Sequence, residues 1–164
     1  MKENSFYQDY DVPQDLRFKT ADIIRMGGLK CSCVINAKYL DGLFDAPNRI
    51  TKAAVELSFS VASSEILVQG RVDGVREVQC ARCLKMSSQS FAEEFVESYS
   101  NKQEIIDIMY LVRQTLALSE DIRFLCKPDC KGLCPMCGQD LNVAPCTCKP
   151  ENLSPFAALK GKFK

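Results

Sequence analysis

The chain has no histidine and no tryptophan. Without imidazole there is no Ser–His or Cys–His nucleophile pair and no nitrogen ligand for a metal ion. Without indole one good platform for stacking a base is gone. No apolar run approaches the roughly 18 residues that would mark a membrane-spanning helix, so no membrane role is expected. The first residues, Met1 to Asp11, are polar and acidic with no apolar core, so no signal peptide is expected there. Charge of one sign is missing as well. Lys plus Arg equals Asp plus Glu at 21 each, which removes whole-chain basicity as a signature of nucleic-acid binding.

What the chain does have is cysteine: ten in 164 residues, in a composition that is 46% hydrophobic and 26% charged. That length suits one ordinary domain with a small appendage, and that balance is globular rather than disordered. Ten cysteines signal either a secreted disulfide framework or an intracellular metal protein. Their arrangement in close pairs, without an export signal, favours metal and a cytoplasmic setting.

Regular structure is clearest from Ala53 onward. Residues 1–30 show little periodicity, and the Val12-Pro13 break reads as an extended lead-in. A strand is expected through Cys31-Ser32-Cys33-Val34-Ile35, with Cys31 and Cys33 as small buried strand residues, then a short helix or loop. Val55, Leu57, Phe59 and Val61 alternate with polar residues, the period of a half-buried strand. Ser63-Ser64 turns the chain, Ile66, Val68 and Val72 continue the alternation, and Asp73-Gly74 reads as a two-residue hairpin with a return strand from Val75 to about Cys80. Phe91, Glu93, Phe95, Glu97 and Tyr99 fit one face of a strand, the aromatics being core. Ile105, Ile108, Met109, Val112 and Leu116 mark a helix face over about 104–118, with Glu104 and Asp107 in its first turn. Residues 126–150 are rich in Cys, Pro and Gly and too poor in apolar residues to fold on packing alone.

Eight cysteines carry the chemistry: Cys80-x2-Cys83, then Cys126-x3-Cys130-x3-Cys134-x2-Cys137-x8-Cys146-x-Cys148. Zinc takes four ligands in a tetrahedron about 2.3 Å from each sulfur, usually from two close pairs. A Cys-x2-Cys pair wraps a tight turn around one ion. In Cys134-Pro135-Met136-Cys137-Gly138 the proline stiffens that turn, and the glycine can take backbone angles that aim amides at sulfur. Two partitions are open. One puts Cys134, Cys137, Cys146 and Cys148 in a local ribbon and joins Cys80, Cys83, Cys126 and Cys130 in a second site, closing a long loop. The other groups Cys126, Cys130, Cys134 and Cys137 and sends Cys80 and Cys83 to Cys146 and Cys148. Cys80-Ala81-Arg82-Cys83 also has the form of a redox dithiol whose thiolate Arg82 would stabilise, but its expected place at the end of a hairpin strand is wrong for a thioredoxin-like site. Iron–sulfur clusters take four cysteines too, and Cys-Pro-x-Cys-Gly pairs serve both iron and zinc. From Cys126 to Lys164 six lysines face three acids, so the end of the chain is basic before thiolates are counted.

Several segments together resemble the YceD family, the large ribosomal RNA subunit accumulation proteins of bacteria and plastids. They are Val78-Gln79-Cys80-Ala81-Arg82-Cys83-Leu84, the run from Leu125 to Gly138, Leu141-Asn142 leading to Cys146-Thr147-Cys148, and Pro155-Phe156-Ala157-Ala158-Leu159. Ser119-Glu120-Asp121-Ile122-Arg123 departs from the family, which usually has a proline-containing stretch there. Some members lack the part matching Cys134 to Cys148 yet keep the rest, which suits the first partition. The resemblance implies a role in large-subunit ribosomal RNA accumulation or processing and in ribosome assembly. The expected partner is pre-ribosomal RNA or a large-subunit ribosomal protein, without a small-molecule substrate.

These readings combine into one expectation. The fold is α+β, an antiparallel meander with one main helix over residues 1–125. A zinc ribbon at 126–150 packs on it, and a basic tail follows at 151–164. Two zinc ions are held by the eight cysteines. Arg82, Lys85, Lys127 and Lys131, which flank the thiolates, are candidate RNA contacts with salt-dependent affinity. The protein is non-catalytic. The competing classes are an interaction adaptor that never touches RNA, which the neutral charge suits, and a thiol redox or nuclease-type enzyme.

Overall fold

The structure, a computed structural model, describes residues 11–121 and 123–148. The polar N-terminal segment before Asp11, the basic tail at 151–164 and the Pro155–Leu159 ending lie outside these residues. The described chain divides into two compact units, one of residues 11–79 and 86–121, the other of residues 80–85 and 123–148.

The first unit is α+β and mostly antiparallel sheet. Its elements in chain order are β1 (Arg17–Lys19), α1 (Thr20–Met26), β2 (Leu29–Ile35), a 3-10 turn (Ala37–Tyr39), β3 (Arg49–Val61), β4 (Glu65–Gln79), β5 (Met86–Ser100), β6 (Ile105–Asp107) and α2 (Ile108–Leu118). Strands β2-β3-β4-β5 form a four-stranded meander, while β1 and β6 pair separately. Alternation decides the faces, because successive side chains on a strand point oppositely. Val55, Leu57 and Phe59 of β3 therefore share a buried face with Ile66, Val68 and Val72 of β4 and Phe91 and Phe95 of β5. Phe91 and Phe95 are core, as expected, whereas Tyr99 is only half-buried against the cluster. Ile108, Met109, Val112 and Leu116 of α2, with Phe18 and Ile23, complete the same apolar cluster.

Three expectations need correction. Asp73-Gly74 is not a hairpin: β4 runs straight through it, pairing Asp73 with Ala92 and Gly74 with Phe91. The glycine is there for space. A Cβ on Gly74 would lie 2.0 Å from the carbonyl oxygen of Lys52 and 2.8 Å from the Phe91 ring, next to a register shift between Ile50 and Lys52 on β3. Glycine inside a strand marks such close approach. Next, α2 begins at Ile108, not near 104. Ile105–Asp107 is spent on pairing with β1, and Asp107 caps the helix, its carboxylate accepting from the Tyr110 amide at 3.0 Å. Finally, Cys31 and Cys33 lie on the inner face of edge strand β2 and are half-buried rather than buried. The short helix α1, in a stretch with little periodicity, was not expected.

Candidate metal centre

Among the described residues, the second unit has almost no apolar core of its own. Cys80, Cys83 and Cys130 are buried with Phe124, Leu125 and Leu133 packed partly against them, while Leu84, Met136 and Val143 are exposed. Its order comes from turns built around sulfur.

Two turns share one backbone geometry. In Cys80–Lys85, the Leu84 amide donates to the Cys80 carbonyl at 2.9 Å and the Cys80 amide to the Lys85 carbonyl at 2.9 Å. In Cys134–Gln139, the Gly138 amide donates to the Cys134 carbonyl at 2.9 Å and the Cys134 amide to the Gln139 carbonyl at 2.8 Å. The residue after the second cysteine is left-handed in both, with φ 60 at Leu84 and φ 72 at Gly138. That conformation turns the chain so that amides face the first cysteine; the Met136 amide reaches Cys134 Sγ at 3.4 Å.

Each turn meets a second pair. The sulfurs of Cys80, Cys83, Cys126 and Cys130 all lie within 4.8 Å of one another, and so do those of Cys134, Cys137, Cys146 and Cys148. All eight are free thiols. The Cys80–Cys130 and Cys83–Cys126 sulfur separations are 3.8 and 3.6 Å. Four sulfurs about 2.3 Å from a central zinc would stand roughly 3.8 Å apart. Either set could therefore hold a metal ion, and the grouping is the first of the two partitions open in the sequence.

The electrostatics of each set point the same way. Burial opposes a Cys80 thiolate, but amide hydrogen bonds from Cys126, Cys83 and Arg82 outweigh it and bring its pKa down to about 6. Cys134 is likewise drawn down to about 6, by the amides of Cys137 and Met136 and the Cys146 thiol. Their neighbours move oppositely. Desolvation, with hydrogen bonding to Cys83, Cys130 and Cys80, lifts Cys126 to about 12. Hydrogen bonding to Cys137, then desolvation, lifts Cys148 to about 12. Backbone donors thus stabilise a first thiolate in each set, whereas further ones repel it unless a cation sits among them. A metal ion supplies that charge and deprotonates coordinating thiols outright.

A polar latch joins the two sets. Asn142, on the arm between Cys137 and Cys146, donates its side-chain amide to Cys130 Sγ at 3.5 Å and to Asp140 at 2.8 Å, and accepts from the Lys131 amide at 2.9 Å. Asp140 pairs with Lys85 at 2.7 Å. The Lys85 hydrogen bond, then the Asn142 amide, holds the Asp140 carboxyl down at about 2. Arg82 donates to the Cys130 carbonyl at 2.8 Å. All four candidate RNA contacts are exposed, and two of them, Arg82 and Lys85, have side-chain partners inside the unit. Sequence reasoning gave Asp140 no role beyond its charge and took Leu141-Asn142 only as a segment of the family resemblance. The signal was present as two Asx residues flanking Leu141 between metal-type cysteines.

Charge is divided unevenly along the chain. The described part of the second unit has five basic residues (Arg82, Lys85, Arg123, Lys127, Lys131) against two acids (Asp129, Asp140), whereas the first has eleven against sixteen. No helix among the described residues is long and apolar enough to cross a membrane.

Residues 99–162 match the family model described as Large ribosomal RNA subunit accumulation protein YceD. A maize protein, Large ribosomal RNA subunit accumulation protein YCED homolog 1, chloroplastic, is 45% identical over 60 residues, which cover 36% of this chain and 20% of the maize protein. The chain thus spans about a fifth of the length of the curated relative it matches. No solved structure matches it. The resemblance to the YceD family therefore holds over the segment that carries six of the eight clustered cysteines; Cys80 and Cys83 lie upstream of it.

Proposed function

We propose that this chain, whose residues 99–162 are YceD-family sequence, is a non-catalytic zinc protein that supports large-subunit ribosomal RNA accumulation by binding pre-ribosomal RNA in the reducing cytoplasm. One observation carries the reading: two sets of four free thiols, at sulfur separations that suit a tetrahedral ion, in a chain matched to a family described by RNA accumulation. Zinc in each set would order the second unit, and the description of the family names accumulation rather than a reaction. Cys80, Cys83, Cys126 and Cys130 would hold one ion, and Cys134, Cys137, Cys146 and Cys148 the other.

Binding would fall to the second unit, which has the basic excess. Lys127 and Lys131 are the leading candidates for phosphate contact, with Arg82 and Lys85 contributing charge while holding the unit together. Two dications among eight thiolates add net negative charge, so attraction to RNA would be local and strongly salt-dependent. The acidic first unit favours a second reading, in which a basic large-subunit ribosomal protein is the partner and RNA is not touched.

The test is elemental analysis followed by binding of large-subunit ribosomal RNA fragments at several salt concentrations. About two zinc ions per chain and a salt-dependent RNA shift are expected. Zinc without RNA binding at low salt, with ribonuclease-resistant capture of one basic protein, would replace this reading with the second. Iron, or no metal, would overturn the metal assignment. Thiol turnover coupled to reversible Cys80–Cys83 oxidation would overturn the non-catalytic assignment.

A further inference from the structure

The two thiol sets adjoin in sequence, with three residues between Cys130 and Cys134, and they are not independent in structure. The arm that links Cys137 to Cys146 in the second set is the segment that touches the first. Asn142 on that arm donates to Cys130 Sγ at 3.5 Å. Its neighbour Asp140 pairs at 2.7 Å with Lys85, whose carbonyl accepts from the Cys80 amide at 2.9 Å. The backbone adds to this: the Leu141 amide donates to the Gly132 carbonyl at 3.0 Å, the Leu133 amide to the Arg82 carbonyl at 3.2 Å, and Leu133 and Asp140 form an isolated bridge. The Asn142, Asp140 and Leu141 contacts all need the 138–145 arm to be folded, whereas the Leu133–Arg82 and Cys80–Lys85 bonds do not involve it. Val143 on that arm is exposed, and the arm's ends are held by the Cys134–Gln139 turn and by Cys146.

We infer that metal binding at the Cys134–Cys148 set closes the Cys80–Cys130 set, so that the two ions are bound cooperatively with Asn142 and Asp140 as the coupling residues. This rests on the metal reading above and adds to it a favourable coupling between the two sets. An ion in the second set fixes the arm, and the fixed arm presents an amide donor to a first-set sulfur and a carboxylate to the first-set turn. A hydrogen bond to a ligating sulfur lowers its negative charge and orients it, and loss of such an outer partner typically costs about 10–100-fold in metal affinity. Coupling is reciprocal, so a filled first set also favours the second.

The experiment uses the full chain loaded with zinc, and reads each set separately by chelator challenge with timed alkylation and mass spectrometry of the individual cysteines. Three variants are compared with the parent: Asn142→Ala, the disabled second set Cys146→Ser/Cys148→Ser, and both together. Disabling the second set is expected to speed alkylation of Cys80, Cys83 and Cys130 by about tenfold. Asn142→Ala should give a comparable increase, and the combination no further increase, because both remove one interaction. Lys85→Met, which touches no thiol of the second set, should also speed first-set alkylation. In the cobalt-loaded parent chain, Asn142→Ala should move part of the sulfur-to-cobalt charge-transfer absorption to lower energy, which loss of packing alone would not do. Two bound ions with first-set alkylation unchanged when the second set is disabled would overturn the coupling while leaving the metal reading intact. Sensitivity to Asn142→Ala without sensitivity to the disabled second set would reduce Asn142 to local positioning, and also overturns it. A parent chain that binds no metal would instead remove the reading on which the inference stands.

Discussion

Substituting Gly74 gives a sharp test of the sheet, because the sequence and the structure disagree about that residue. If Asp73-Gly74 closed a hairpin, Gly74→Ala would cost about 1 kcal/mol, the penalty of an unfavourable backbone angle. In the structure β4 continues through Gly74, and the added methyl would stand 2.0 Å from the Lys52 carbonyl oxygen, 2.9 Å from the Lys52 carbonyl carbon and 2.8 Å from the Phe91 ring. Two of these atoms are backbone on a paired neighbouring strand, so relief requires moving β3 rather than rotating a side chain. Overpacking of this sort costs about 1–3 kcal/mol when side chains can yield and more when they cannot. We therefore expect about 3 kcal/mol, a drop in melting temperature on the order of 10 °C for a unit of this size. Gly70 is the control. The three atoms nearest its methyl would all belong to the Phe95 ring, the first at 2.2 Å, and a ring can swing, so Gly70→Ala should cost less. Thermal unfolding followed by far-ultraviolet circular dichroism of both variants decides the matter. A Gly74→Ala protein within 1 °C of the parent, or one less damaged than Gly70→Ala, would refute the continuous strand.

Other outcomes follow from the thiol sets. Cys134→Ser and Cys80→Ser are each expected to disturb a different ion first, read as which cysteines lose protection from alkylation; loss of the same set in both would break the partition. The Lys85–Asp140 pair makes a pH prediction. Asp140 is lowered from 3.8 to about 2, so its contribution is complete above about pH 4 and fades as pH falls through 2. Lys85 is raised from 10.5, chiefly by Asp140, so its contribution is complete below that value and is lost only at higher pH. The stability difference between the parent and Lys85→Met should therefore be flat from about pH 5 to 9, and a slope there would mean another group is involved. If RNA is bound, Lys127→Gln and Lys131→Gln should each reduce the salt slope of binding by about 1.

The sequence made some of this legible and hid the rest for physical reasons. Strand β3 could be read because its one buried face imposes a period of two on Val55–Phe59; β5 was less sharply marked, because Glu93 and Glu97 share the face of Phe91, Phe95 and Tyr99 and the aromatics recur every four residues. The helix start was misplaced because Ile105 fits the helix face of Ile108, Met109, Val112 and Leu116 as well as a short strand, and only the pairing with Arg17–Lys19 decides between them. Helix α1 is seven residues long with two buried positions, Thr20 and Ile23, too short to set up a period. Its C-terminal signal was there in Gly27, which is left-handed at φ 69 and donates to the Ile24 carbonyl. Asp73-Gly74 misled because glycine is needed both for tight turns and for close backbone approach, and the sequence does not say which. The thiol sets were legible because ligand spacing is dictated by the ion's geometry rather than by distant packing. The Asp140–Asn142 latch was not, since it depends on which loops meet once the cysteines have been gathered.

The two Cys-x2-Cys turns supply a final prediction, in which one molecule is its own control. Both place the residue after the second cysteine in the left-handed region, but one uses Leu84 at φ 60 and the other Gly138 at φ 72. A side chain there brings Cβ against the carbonyl oxygen and costs about 1–2 kcal/mol, while glycine avoids this but has a more disordered unfolded chain, worth about 0.4–1 kcal/mol. The net is about half to 1 kcal/mol in favour of glycine at either place. Space does not complicate the Gly138 site, where an added Cβ meets nothing within 4 Å, and Leu84 is 54% exposed, so little apolar burial is lost with it. Gly138→Ala should therefore weaken metal retention by the Cys134–Cys148 set about two- to fivefold, and Leu84→Gly should strengthen retention by the Cys80–Cys130 set by a similar factor. Chelator competition resolved by cysteine reads both. Opposite signs are required by the shared backbone geometry. If the two substitutions shift retention in the same direction, the turns are not equivalent, and the left-handed angle at Leu84 is not what sets the stability of its site.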